Sequence, residues 1–180
     1  MNTTNIIIVV VLVLVVLGAL LSQASARRNQ TKQHHNQLKP EYDLTVKTMG
    51  GEKEAQAELN ERQKHVDTLE IHPLSDSDHE RYLAEWTAIQ SKFVDGPGQA
   101  VMDADKLTIE VMQARGYPVS DFDQRAADIS INYPAIVTNY RAAREITVKN
   151  EQKLADTEEL RQAILYYRSL FEELLKTEAK

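Results

Sequence analysis

From Ile6 to Leu21 the chain carries no polar side chain, and the first charged residues after that run are Arg27 and Arg28. Sixteen apolar residues wound as a helix extend about 24 Å. A bilayer's hydrocarbon core is ~30 Å thick, and the small residues Ser22 to Ala26 can complete the span. Beyond this run the apolar positions thin out and become periodic. Gly50-Gly51 breaks any helix begun at Glu41. After it, Ala55, Leu59, Val66 and Leu69 form a narrow helical stripe among charges, suited to lying along a neighbouring helix.

From Ser75 the stripes broaden. Tyr82, Trp86, Ile89 and Phe93 recur at intervals of four, three and four, one face of a helix. Ser77, with Glu80 three positions later, reads as its capping box. Gly96-Pro97-Gly98 ends that helix and opens another, whose buried face is Val101, Ala104, Leu107, Thr108, Val111 and Met112. Gly116 and Pro118 stop it. A short helix capped by Asp121 follows. Pro134 is expected in the first turn of the next, lined by Ile136, Val137, Tyr140, Ala143 and Thr147. The last begins at Asp156 with Glu159 completing a cap, and presents Leu160, Ala163, Ile164, Tyr167, Phe171, Leu174 and Leu175. Outside the first run no segment alternates with period two. The pattern predicts an all-α protein: an N-terminal transmembrane helix followed by a bundle of about five helices. Its expected divisions are an anchor over 1–26, a basic juxtamembrane linker over 27–40, a charged helical stalk over 41–74 and the bundle over 75–180.

Charge decides between an anchor and a cleaved signal. A secretory signal carries basic residues before its apolar run, whereas Met1 to Asn5 have none. Arg27, Arg28 and Lys32 come after it, which holds the C-terminal side in the cytoplasm and draws it toward anionic headgroups. The competing feature is Ala24-Ser25-Ala26, a small-x-small site at which an exported soluble protein would be cut. The expectation is a single-pass cell-membrane protein with a cytoplasmic bundle. Net charge is −6 overall, divided as +4 over residues 1–39 and −10 over 40–180. So acidic a bundle is a poor match to a phosphate backbone, and nucleic acid is not an expected partner. With no cysteine there is no disulfide, thiolate metal site or cysteine nucleophile.

Two segments carry a likeness. RGYPVSDFDQRAADISINYPAIVTNYRAAREI (115–146) and TEELRQAILYYRSLFEELL (157–175) resemble a family of uncharacterised bacterial single-pass membrane-anchored helical proteins without assigned activity. In that pattern the stretch after QRAAD runs SVDHP and the YRAA element ends in His. Here the positions read SINYP and Arg144, so two imidazoles available for acid–base work are missing. The resemblance implies architecture and anchoring, and no catalytic residue.

Candidate chemistry is sparse. His65, His72 and His79 fall seven apart, but Pro73 separates them onto different elements, and no metal or other cofactor is expected. Asp76, Asp78 and Glu80 lack the glycine and distal glutamate of a calcium loop and read as helix-start acids. Asp103 and Asp105, two apart, point to different faces. No phosphate-binding, nucleophile-elbow or zinc-protease motif occurs. Arg125 and Asp128 can pair at i, i+3, and Arg141 and Arg144 are expected to gather around Asp128 if the two helices pack together. That cluster reads as a structural clamp or, alternatively, as a site for small anions or an enzyme's charged substrate. Tyr166, about 100° off the last stripe, is the candidate contact residue. The functional expectation is a membrane-tethered interaction or scaffold module, whose partner and oligomeric state the sequence leaves open.

Overall fold

Seven helices and no strand make up the described residues, which are 39, 41–119 and 121–176 of a computed structural model. They are α1 (described at 39 and 41–49), α2 (Glu52–Asp67), α3 (Asp76–Lys92), α4 (Pro97–Ala114), α5 (Phe122–Asn132), α6 (Val137–Glu151) and α7 (Thr157–Leu175). Among them, no helix is long and apolar enough to cross a membrane. The apolar run Ile6–Leu21, the small residues to Ala26 and the basic positions Arg27, Arg28 and Lys32 lie outside the described residues.

The broadest apolar stripe becomes the axis. α7 buries Leu160, Ala163, Ile164, Tyr167, Leu170, Phe171, Leu174 and Leu175 and packs chiefly on α6 and α4. α3 lies against α4, and its stripe residue Trp86 reaches α7 by stacking on Phe171, with ring centroids 4.7 Å apart and planes 20° from parallel. Tyr140 of α6 meets Tyr167 edge-on at 6.3 Å and Phe122 of α5 at 5.2 Å. Offset and edge contacts of this kind suit the negative faces and positive edges of aromatic rings. α2 lies along α5 through its narrow Ala55, Leu59 and Val66 stripe. Residues 41–74 therefore belong to the same compact unit as the helices that follow.

Most helix ends form where local chemistry places them. Asp121 accepts the Gln124 N–H at 3.1 Å. Asp156 accepts the Glu159 N–H at 2.8 Å while Glu159 takes the Asp156 N–H at 3.1 Å, a complete capping box. Two ends differ from the sequence reading. The N-cap of α3 is Ser75, which accepts from the Asp78 N–H at 3.1 Å, and not Ser77. SDSD offers two overlapping cap motifs; the earlier start adds helical bonds and sets Asp76 and Asp78 against the positive end of the dipole. Pro134 precedes α6 instead of opening it. It lies in a turn closed by the Tyr133 carbonyl, which accepts from the N–H groups of Ile136 at 3.0 Å and Val137 at 3.1 Å. A residue before proline is kept out of the helical region, so Tyr133 ends α5 and α6 waits for Val137.

Candidate functional site

The expected arginine cluster around Asp128 does not assemble. Asp128 is 1% exposed, yet its Oδ1 accepts from Gln124 Nε2 at 2.8 Å and faces His65 Nε2 at 3.5 Å. Its Oδ2 is buried without a hydrogen-bond partner. Arg125 directs Nε at the Tyr140 hydroxyl, 3.4 Å away. Arg141 and Arg144 serve other carboxylates. The reason is rotational: Asp128 lies on the α5 side that meets α2, while the α6 arginines face α1 and α4. Tyr166 is half-buried and lines a shallow groove with Ile146, Lys149, Glu159 and Gln162.

Three buried polar networks take the cluster's place. In the first, Glu41 of α1 is 1% exposed and receives two guanidinium groups. Arg141 donates Nη1 to Oε2 at 2.7 Å and Nη2 to Oε1 at 3.0 Å, a two-pronged pairing that fixes both distance and plane. Arg62 of α2 donates Nη1 to Oε1 at 2.8 Å and Nε to Glu58 at 2.8 Å. The second centres on Asp105. Tyr167 donates its hydroxyl to Oδ1 at 3.0 Å, Arg144 donates to Oδ2 at 3.1 Å, and Thr147 lies 2.8 Å from the same tyrosine oxygen. Helices α4, α6 and α7 thus share one carboxylate at their common contact. In the third, Arg115 at the end of α4 is 3% exposed and contacts neutral oxygens. It donates to the carbonyls of Leu174 at 2.8 Å and His72 at 3.3 Å and to the Tyr133 hydroxyl at 3.2 Å. A cation at the carbonyl end of α7 also complements that helix's dipole.

Glu41, Asp105 and Arg115 escaped the sequence reading. Asp105 does face differently from Asp103, but the informative signal was its place on the same side as Val101 and Thr108, inside the apolar stripe of α4. Glu41 and Arg115 carry no comparable local mark.

Burial pushes the carboxyl groups of both Asp105 and Asp128 above the usual carboxylate range. The Tyr167 hydrogen bond and then Arg144 oppose this at Asp105; Gln124, His65 and Arg62 oppose it at Asp128. Burial raises the Tyr167 and Tyr140 hydroxyls as well, so both stay protonated, Tyr167 donating to Asp105 and Tyr140 accepting from Arg125. A carboxyl raised by folding binds its proton more tightly in the native state. Its penalty is therefore present above the folded pKa and relieved as pH falls through that value toward the unfolded one. Asp128→Asn is expected to shrink the gain in melting temperature on going from pH 7.5 to pH 5. Asp105 keeps the same sign in the variant, so a remainder persists. Melts at the two pH values check this, and an undiminished gain would mean that the Asp128 carboxylate is hydrated.

None of the three grooves described on the bundle contains Arg125, Asp128, Arg141 or Asp105. One is lined by Glu85, Lys92, Asp103 and Lys106, one by Leu83, Trp86, Arg168 and Phe171, and the third is that of Tyr166. Among the described residues no three His, Asp or Glu side chains converge in a way that would hold a metal ion. The buried charges join helices to one another, outside these three grooves. Compared with family models, curated proteins and solved structures, the chain matches none.

Proposed function

We propose that this chain is a helical interaction module carried on an N-terminal single-pass membrane anchor, with its bundle on the cytoplasmic side. The observation that carries the reading is the sequence Ile6–Leu21, free of polar side chains, followed by Arg27, Arg28 and Lys32. An apolar segment in lipid must satisfy its backbone internally, so it spans as a helix, and the flanking cations set its direction. The bundle's part in the reading is supported by its charged side chains. Those singled out for an anion or substrate site are engaged between helices, outside the described grooves.

The test is fractionation of cells expressing the full chain, followed by protease treatment of oriented membrane vesicles. The protein is expected to remain in the pellet after a carbonate wash, and the bundle to be cut only when its cytoplasmic face is exposed. Recovery of a soluble product that begins at Arg27 would replace the anchor with export and cleavage.

A further inference from the structure

Helix α1 is attached to the bundle in an unusual way. Its two fully buried residues are Glu41 and Thr45, one turn apart and both polar, whereas Leu44 and Met49 are 41% and 42% exposed. The Thr45 hydroxyl donates to the Glu41 carbonyl at 2.8 Å and so is satisfied within its own helix. Among the described residues, the ion pairs that join α1 to other helices all end on Glu41. These pairs set one carboxylate between Arg62 and Arg141, beside the half-buried Tyr42 and Val46.

The surroundings allow that carboxylate to leave. Arg62 and Arg141 retain 18% and 25% side-chain exposure, so the pair lies at the edge of the bundle and not in its sealed core. Gly50, at φ +80, and Gly51 join α1 to α2, and a Cβ at Gly50 would meet nothing within 4 Å. The joint is therefore a glycine pair with open space beside the first. Arg62 also acts on the Asp128 carboxylate, whose Oδ2 has no partner. Departure of Glu41 leaves Arg62 with a second carboxylate nearby and frees the two-pronged face of Arg141.

We propose that Arg62 and Arg141 form a carboxylate-binding site whose resident occupant, Glu41, is delivered by a detachable helix, and that an acidic side chain of a partner peptide competes for it. This names a partner chemistry for the interaction reading above, and the receptor itself does not depend on how the N-terminal segment is disposed. The forked guanidinium geometry selects planar carboxylates, and displacement of α1 uncovers Thr45 and the half-buried Tyr42 and Val46 together with the vacated face.

The experiment uses the purified full chain in a mild non-ionic detergent. In wild type, amide exchange of residues 41–49 is expected at least about tenfold faster than in α4, α6 and α7, as for a segment that opens on its own. Glu41→Ala should bring residues 41–49 to the exchange rate of an unstructured peptide while α4, α6 and α7 stay protected. Glutarate is the carboxylate probe, with chloride at matched ionic strength as control. At roughly ten times its Kd, glutarate should raise the melting temperature of Glu41→Ala by about 4–8 °C. That shift should vanish in Glu41→Ala/Arg141→Met and be smaller in wild type, where Glu41 occupies the site. The proposal is overturned if Glu41→Ala unfolds or loses protection across the bundle, which would make Glu41 part of the cooperative core. It is equally overturned if glutarate does no more than chloride. Failure of the carbonate test above would leave each of these outcomes unchanged.

Discussion

Replacing Trp86 with alanine is expected to destabilise the bundle by about 3–5 kcal/mol, the usual cost of removing a large aromatic side chain from a core. Trp86 is 5% exposed and lies between Tyr82 and Ile89 on the buried stripe of α3. Its stacking partner, Phe171, is 1% exposed on α7. Truncation removes both the transfer of the indole out of water and the contact by which α3 reaches the axial helix. Neighbouring side chains can fill only part of the space, because interiors are packed as closely as organic crystals. Against a total stability of ~5–15 kcal/mol, the loss is a large fraction. The melting temperature should fall on the order of 10–25 °C. Far-UV circular dichroism is the measurement, since the variant has lost the chain's single tryptophan. In wild type the same burial predicts blue-shifted emission; emission from a fully hydrated indole would refute the assignment of this face.

Gly116→Ala is the second large effect. Gly116 has φ +92 and ends α4 in a double turn: its N–H donates to Gln113 O at 3.0 Å and the Tyr117 N–H to Met112 O at 3.0 Å. This pair of bonds satisfies carbonyls that the helix cannot, and it requires the left-handed conformation at Gly116. An L side chain there costs about 1–2 kcal/mol from backbone sterics alone. A second cost comes from a distant segment. A Cβ at this position would overlap the Glu70 carbonyl oxygen, because the loop before α3 runs over the end of α4. That loop is fastened by the His72 N–H on Arg115 O at 3.0 Å and by Arg115 Nε on His72 O at 3.3 Å. Backbone cannot rotate aside as a side chain can, so the loop must shift and its bonds with Arg115 weaken. The overlap adds roughly 1–3 kcal/mol of the kind seen on overpacking. A total loss of about 2–5 kcal/mol by urea or thermal unfolding is expected. A loss below about 1 kcal/mol would mean that the loop does not approach Gly116 in solution.

The contrast between these residues shows how far local sequence reaches. Trp86, Tyr82 and Ile89 declare their face by spacing, since 3.6 residues per turn brings them together before any partner is known. Asp121, Asp156 and Glu159 declare helix starts because a capping side chain reaches N–H groups only two or three residues ahead. Gly116 was legible as a helix end for the same short-range reason. Its contact with Glu70 was not, because 46 positions separate them and nothing near Gly116 encodes the loop's path.

Charges behaved differently. Arg125 and Asp128 have the spacing of a helical pair, and spacing alone suggested that two α6 arginines would join them. In the fold, Arg141 pairs with Glu41, 100 positions away, and Arg144 with Asp105, 39 positions away. A guanidinium on a long flexible stem takes whichever carboxylate the packing brings within reach, and hydrophobic periodicity carries no record of that choice. The sequence by itself determined the all-α character of the described residues, the positions of most helix ends and the apolar faces of α3, α4, α6 and α7, because those depend on backbone geometry within a few turns. Only the tertiary structure decided that Glu41, Asp105 and Arg115 are buried and which partners they hold. A buried charge is set by the rotation and approach of whole helices, and these emerge once every apolar face has been packed.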